Sequence, residues 1–101
     1  MALTDVQRES IYRLQLNEPN SLGYFKHLSQ LAHDMRQSSV NVVESHSGMN
    51  RPKSLKLMDK IKEIGIAEVR GGGGGVPKTL HWADGVDSRE VGLAALSGPL
   101  R

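Results

Sequence analysis

Short polar side chains gather at Ser38, Ser39 and Asn41, and cations follow at Arg51, Lys53, Lys56, Lys60 and Lys62, with Asp59 the one acid between positions 51 and 62. Such a combination suits a polyanionic partner. Serines at the start of a helix can bond phosphate or base edges, and the helix N-terminus adds its own partial positive charge. Asn41 carries the donor and acceptor that together bind adenine N6 and N7, and Glu44 could accept from a cytosine amine. Arg36, Arg51 and Lys53 flank this segment, where they would meet the sugar–phosphate backbone. A lysine-rich helix face is often no more than a solvated surface, and Ser and Asn also serve as caps. The conjunction of a polar helix start with local positive charge is what points to nucleic acid.

Other chemistries fit the residues poorly. His27, His33, His46 and His81 include no pair at i, i+4 and no His-Glu-x-x-His arrangement, so no metal site is expected. Gly72, Lys78 and Thr79 fall where a phosphate-binding loop places its first Gly, its Lys and its Thr. Pro77 stands where that loop needs its second glycine and has no amide hydrogen to offer a phosphate. The chain contains no cysteine, which excludes disulfides and thiolate chemistry, and no serine lies in a nucleophile elbow. The reading is therefore of a binding protein and not an enzyme, with no cofactor, metal or small-molecule ligand.

The elements that must position these residues are mostly helical. Thr4-Asp5-Val6-Gln7 forms a capping box for a first helix that turns Val6, Ile11, Leu14 and Tyr12 inward and ends near Leu16. Pro19 marks a loop. Ser21 is expected to cap a second helix, with Leu22, Phe25, Leu28, Leu31, Ala32 and Met35 at helical spacing. Ser38 or Ser39 can cap a helix at about 38–47, although Val40, Val42 and Val43 are β-branched. Gly48 and Asn50-Arg51-Pro52 stop it. Ser54 opens a further helix carrying Leu55, Leu57, Met58, Ile61 and Ile64, and Gly65 caps its end. Residues 66–70 and 78–82 alternate like strands around the glycines at 71–75, which predicts a β-hairpin with Trp82 as its core anchor. The glycine run also has the composition of a linker between two segments. After a turn at Asp84-Gly85, Asp87 to Glu90 caps a short helix with Val91, Leu93, Ala94 and Leu96, ended by Gly98-Pro99. This last helix either closes the core or contacts a second copy.

These elements describe a mainly α domain with a C-terminal β-hairpin (a candidate wing) and a short terminal helix. The chain of 101 residues reads as a single domain, its helical part at 1–65, its hairpin at 66–82, its short helix and tail at 83–101. Hydrophobic residues make up 38% and aromatics only 4%, so the core must come from aliphatic side chains, which suits packed helices. The net charge of +2 is mild, so the local distribution carries more meaning than the sum. No apolar run approaches the length of a bilayer span and no signal core opens the chain, so a cytoplasmic protein with no membrane partner is expected.

From Leu31 to Ile66 the sequence resembles the Cro/repressor-type helix-turn-helix family. The residues that carry the likeness are Leu31-Ala32, Ser38-Ser39-Val40-Asn41-Val42, Gly48, Arg51-Pro52, Ser54-Leu55-Lys56-Leu57 and Ile64-Gly65-Ile66. The resemblance implies a tight turn after the Leu-Ala helix, at Arg36, and a recognition helix at about 38–47. Arg36 stands where the family usually has glycine, so it must take a positive φ or a different turn. Ser45 likewise replaces a buried aliphatic. A second placement follows the winged-helix order, in which the recognition helix directly precedes a β-hairpin. Lys56, Lys60 and Lys62 would then face DNA, with Arg70 and Lys78 on the wing. Both placements imply a repressor-like transcription regulator on double-stranded DNA, acting as a homodimer because one module gives too little affinity. An alternative function is a small protein-interaction module or inhibitor whose basic helix meets an acidic protein surface.

Overall fold

Reciprocal hydrogen bonds close the first helix at its start. Thr4 Oγ1 accepts from the Gln7 amide at 3.1 Å and Gln7 Oε1 accepts from the Thr4 amide at 2.9 Å, so both orphan donors are satisfied and α1 runs Asp5–Asn17. The computed structural model describes residues 3–97. In chain order these form α1, a 3-10 turn at Pro19–Ser21, α2 (Leu22–Ser29), β1 (Gln37–Ser39), α3 (Val40–Ser47), α4 (Arg51–Ile64), β2 (Ala67–Arg70), β3 (Thr79–Trp82) and α5 (Ser88–Ser97). The expectation of a mainly α domain with a hairpin holds. Gly98-Pro99, expected to end the last helix, lies outside the described residues. Among the described residues no helix is long and apolar enough to cross a membrane.

Several local expectations are corrected. Ser21 does not cap α2: its backbone is already helical and its hydroxyl donates to the Glu18 carbonyl at 2.6 Å. The second helix stops at Ser29 and does not reach Met35, leaving Ala32 and Met35 exposed. The chain unwinds there because residues 34–36 are claimed by tertiary contacts to residues 82–88. Val6 points outward at 74% exposure, while Ile11 and Leu14 are buried as expected. Leu93 and Leu96 also face out, while α5 buries Val91 and Ala94 as expected, together with Gly92 and Ala95. The fourth helix starts before Ser54, because the Asn50 side chain caps it by accepting from the Lys53 amide at 3.0 Å. Pro52 fits in the first turn, where no amide hydrogen is required.

The hairpin forms across the glycine run. Strand β2 pairs antiparallel with β3 in the register Ala67↔Trp82 to Arg70↔Thr79. A third strand, unforeseen from the sequence, completes the sheet: β1 lies antiparallel on the other side of β3, with Ser38 opposite Leu80, giving the order β1-β3-β2. At the tip, the Gly72 amide donates to the Val76 carbonyl and the Val76 amide to the Gly73 carbonyl.

The core draws on every helix and the sheet. Fully buried Ile11, Tyr24, Phe25, Leu28, Val40, Val43 and Val91 meet Leu57, Met58 and Ile61 of α4 and Ile66, Leu80 and Trp82 of the sheet. Helix α2 sits at the centre and approaches two neighbours closely. A Cβ on Gly92 of α5 would come within 2.5 Å of the Phe25 carbonyl oxygen, and one on Gly23 within 2.1 Å of the His46 carbonyl oxygen. Any side chain at either position would push the helices apart.

Candidate nucleic-acid interface

Helices α3 and α4 are joined by Gly48-Met49-Asn50. Gly48 ends α3 in the left-handed region at φ 74°, its amide bonding back to the Glu44 carbonyl at 2.9 Å. Met49 is buried as the turn's anchor and Asn50 caps α4. Two helices joined by a short glycine-containing turn form a pair with the connectivity of a helix-turn-helix unit. Its second helix is α4, which passes through Gly65 directly into β2.

The outer surface of α4 follows from its buried side. Ser54, Leu57, Met58 and Ile61 face the core, so Pro52, Lys56, Asp59 and Glu63 stand outermost, with Lys53 and Lys60 on the flank toward α1. None of Lys53, Lys56 and Lys60 has a carboxylate within ion-pair distance among the described residues. Beside them, a groove of about 440 Å³ between α1 and α4 is lined by Ser10, Arg13, Asn17, Lys60 and Glu63, with Leu14 and Ile64 beneath. Arg13 and Asn17 were not expected at this surface, because only the packing of α1 on α4 brings them there.

Other anticipated residues lie elsewhere. Arg36 adopts no positive φ, since no non-glycine residue among those described does. Its guanidinium donates to the carbonyls of Val86 (2.5 Å), Trp82 (2.9 Å) and Ala83 (2.7 Å) and to Asp34 Oδ2 (2.7 Å). Asp34 in turn accepts from the Ser88 amide and hydroxyl, each at 3.0 Å. Burial opposes the charge on Asp34, but the Ser88 amide and the Arg36 guanidinium outweigh it and hold its carboxyl below the ordinary carboxylate range. Ser38 sits buried in β1 and is not at a helix start; Ser39 provides that cap, accepting from the Val42 amide at 3.4 Å. Leu31-Ala32, read from the sequence as helix, lies in the loop before β1.

Asn41 and Glu44 both turn toward α4. Asn41 Oδ1 accepts from Arg51 Nη2 at 2.9 Å, and Arg51 Nε lies 3.1 Å from Glu44 Oε1. Asn41 thus enters any contact with its carbonyl oxygen already engaged. On the hairpin, Arg70 is paired with Glu68 at 2.8 Å, and its hydrogen bond is the main reason the Glu68 carboxyl is held below its usual range. The aliphatic stem of Lys78 covers Gly72. Residues 71–77, at the tip, carry no charge and are exposed. Among the described residues no cluster of three or more His, Asp and Glu is placed to hold a metal ion. Comparison of the chain with known protein families, with curated proteins and with solved structures finds no match.

Proposed function

We propose that the chain is a sequence-specific DNA-binding regulator of the repressor kind, which reads the major groove with α4 and not with the segment at 38–47. The observation that carries this is the order of elements around α4. It is the second helix of a pair joined by a short glycine-containing turn, it runs straight into a β-hairpin, and it exposes Lys53, Lys56 and Lys60 with no carboxylate within ion-pair distance among the described residues. That is the order in which a winged-helix protein places its recognition helix. Helix α3 serves better as the supporting helix, because Ser38 is buried and the Ser39 hydroxyl is engaged with its own helix.

The residues then take different roles. Arg51, Lys53, Lys56 and Lys60 meet DNA, Arg13, ion-paired with Glu9 at 3.0 Å, lies beside them on α1, and Lys78 and the uncharged tip approach the adjacent backbone. Two copies would bind paired half-sites, and exposed Leu93 and Leu96 on α5 offer an apolar contact between them. The expected setting is the cytoplasm. A second reading, docking on an acidic protein surface, draws support from Asp59 and Glu63, which share the outermost stripe with Lys56 and dilute its charge. Fluorescence anisotropy with random duplex DNA across a salt series separates the two. Binding that weakens steeply with salt supports the DNA reading, and no binding at low salt removes it.

A further inference from the structure

We infer that Glu44 is a positioning residue that makes Arg51 a reader of guanine instead of a phosphate contact, an inference that rests on the DNA-binding reading of α4. Glu44 and Asn41 lie one turn apart on the same face of α3, beside the first residue of α4. Glu44 Oε1 is buried and lacks an aligned N–H donor, so its contact with Arg51 Nε at 3.1 Å is Coulombic. Asn41 Oδ1 holds Nη2 at 2.9 Å. Together they occupy the side of the guanidinium formed by Nε and Nη2. Nη1 has no partner among the described residues, and the Arg51 side chain is half exposed at 52%.

Two parallel N–H groups on a fixed plane match the O6 and N7 acceptors of guanine in the major groove. A free arginine at a helix start would instead swing to the nearest phosphate. Here the adjacent carboxylate balances the cation and repels phosphate, while the hydrogen bond to Asn41 opposes such a swing. Glu44 therefore lowers affinity for DNA in general and raises the preference for a site with guanine at the Arg51 position.

The test begins with selection of duplexes by the wild-type protein from a random pool. Affinities of wild type, Glu44→Gln and Arg51→Lys are then measured on a selected duplex and on the same duplex with its invariant guanine replaced. Glu44→Gln should bind the replaced duplex several-fold more tightly than wild type does, with discrimination falling about tenfold, the scale of one bidentate base contact. Arg51→Lys keeps the charge and loses the fork, so it should lose the same discrimination. It leaves Glu44 in place and gives this readout whether or not Glu44→Gln folds. An equal change on both duplexes in Glu44→Gln, or undiminished discrimination in Arg51→Lys, overturns the inference while the DNA-binding reading stands. Failure of the wild type to bind any duplex at low salt overturns that reading, and the inference with it.

Discussion

At the scale of single residues, the structure redistributes work that the sequence assigns by residue type. Arg36 has the charge of a phosphate contact, yet its donors are spent on three carbonyls and Asp34, tying the loop before β1 to the loop before α5. Arg36→Ala should therefore lower stability by about 2 kcal/mol, the scale of hydrogen bonds to a charged group. A thermal melt within a degree of wild type would show that the latch contributes nothing. Ser54 poses the opposite case, because its hydroxyl is buried in α4 with no hydrogen-bond partner among the described residues. Ser54→Ala removes an unsatisfied polar group and adds a better helix former, so stability should rise by about 1 kcal/mol. A lower melting temperature would reveal a partner for that hydroxyl. Neither role was legible in the sequence, since both depend on contacts with residues far along the chain or on burial.

Elements closed by their own neighbours read correctly, and those shaped by distant contacts did not. The α1 cap, the Gly48 and Gly65 stops and the hairpin all follow from residues within a few positions. Helix α2 ends early and β1 exists only because residues 34–39 bond to residues 79–88, and no local pattern announces a strand of three residues. The α2–α3 contact carries a pH dependence. His27 and His46 stack with ring centroids 3.6 Å apart. Burial chiefly, and the neighbouring His46 secondarily, hold the His27 imidazole below its ordinary value of 6.5. The unfolded chain takes up this proton first, so the folded state binds fewer protons as pH falls from above 6.5 through the lowered value. The resulting stability is fully present above the unfolded value and is lost on acidification. The melting temperature should accordingly drop as pH falls below about 6.5, and His27→Gln should reduce the drop. An identical drop in His27→Gln would assign it to other groups.

For the whole molecule, the decisive feature is that one helix is both the partner of α3 across a short turn and the lead-in to a hairpin. Helix α4 carries lysines without an ion-pair partner among the described residues, and α1 lies alongside as a second wall. If this surface neutralises phosphates, Lys53→Ala and Lys56→Ala should each weaken binding to all duplexes alike. Each should also reduce the magnitude of the slope of log K against log salt by about one. Slopes unchanged from wild type in both variants would move the contact away from α4.

The sequence by itself determined the helical class, the aliphatic core, the hairpin and the positive stretch from Arg51 to Lys62, because each depends on composition or on periodicity within a few residues. Tertiary structure decided which of the candidate side chains stay exposed and unengaged among the described residues. Residues 38–47 and α4 both carry polar side chains suited to DNA, and their local patterns do not separate them. Burial of Ser38 against Leu80 and engagement of Asn41 and Glu44 by Arg51 do separate them. Those contacts join residues seven to more than forty positions apart. They arise only when the chain closes its core, where burial and satisfied hydrogen bonds outweigh local preference.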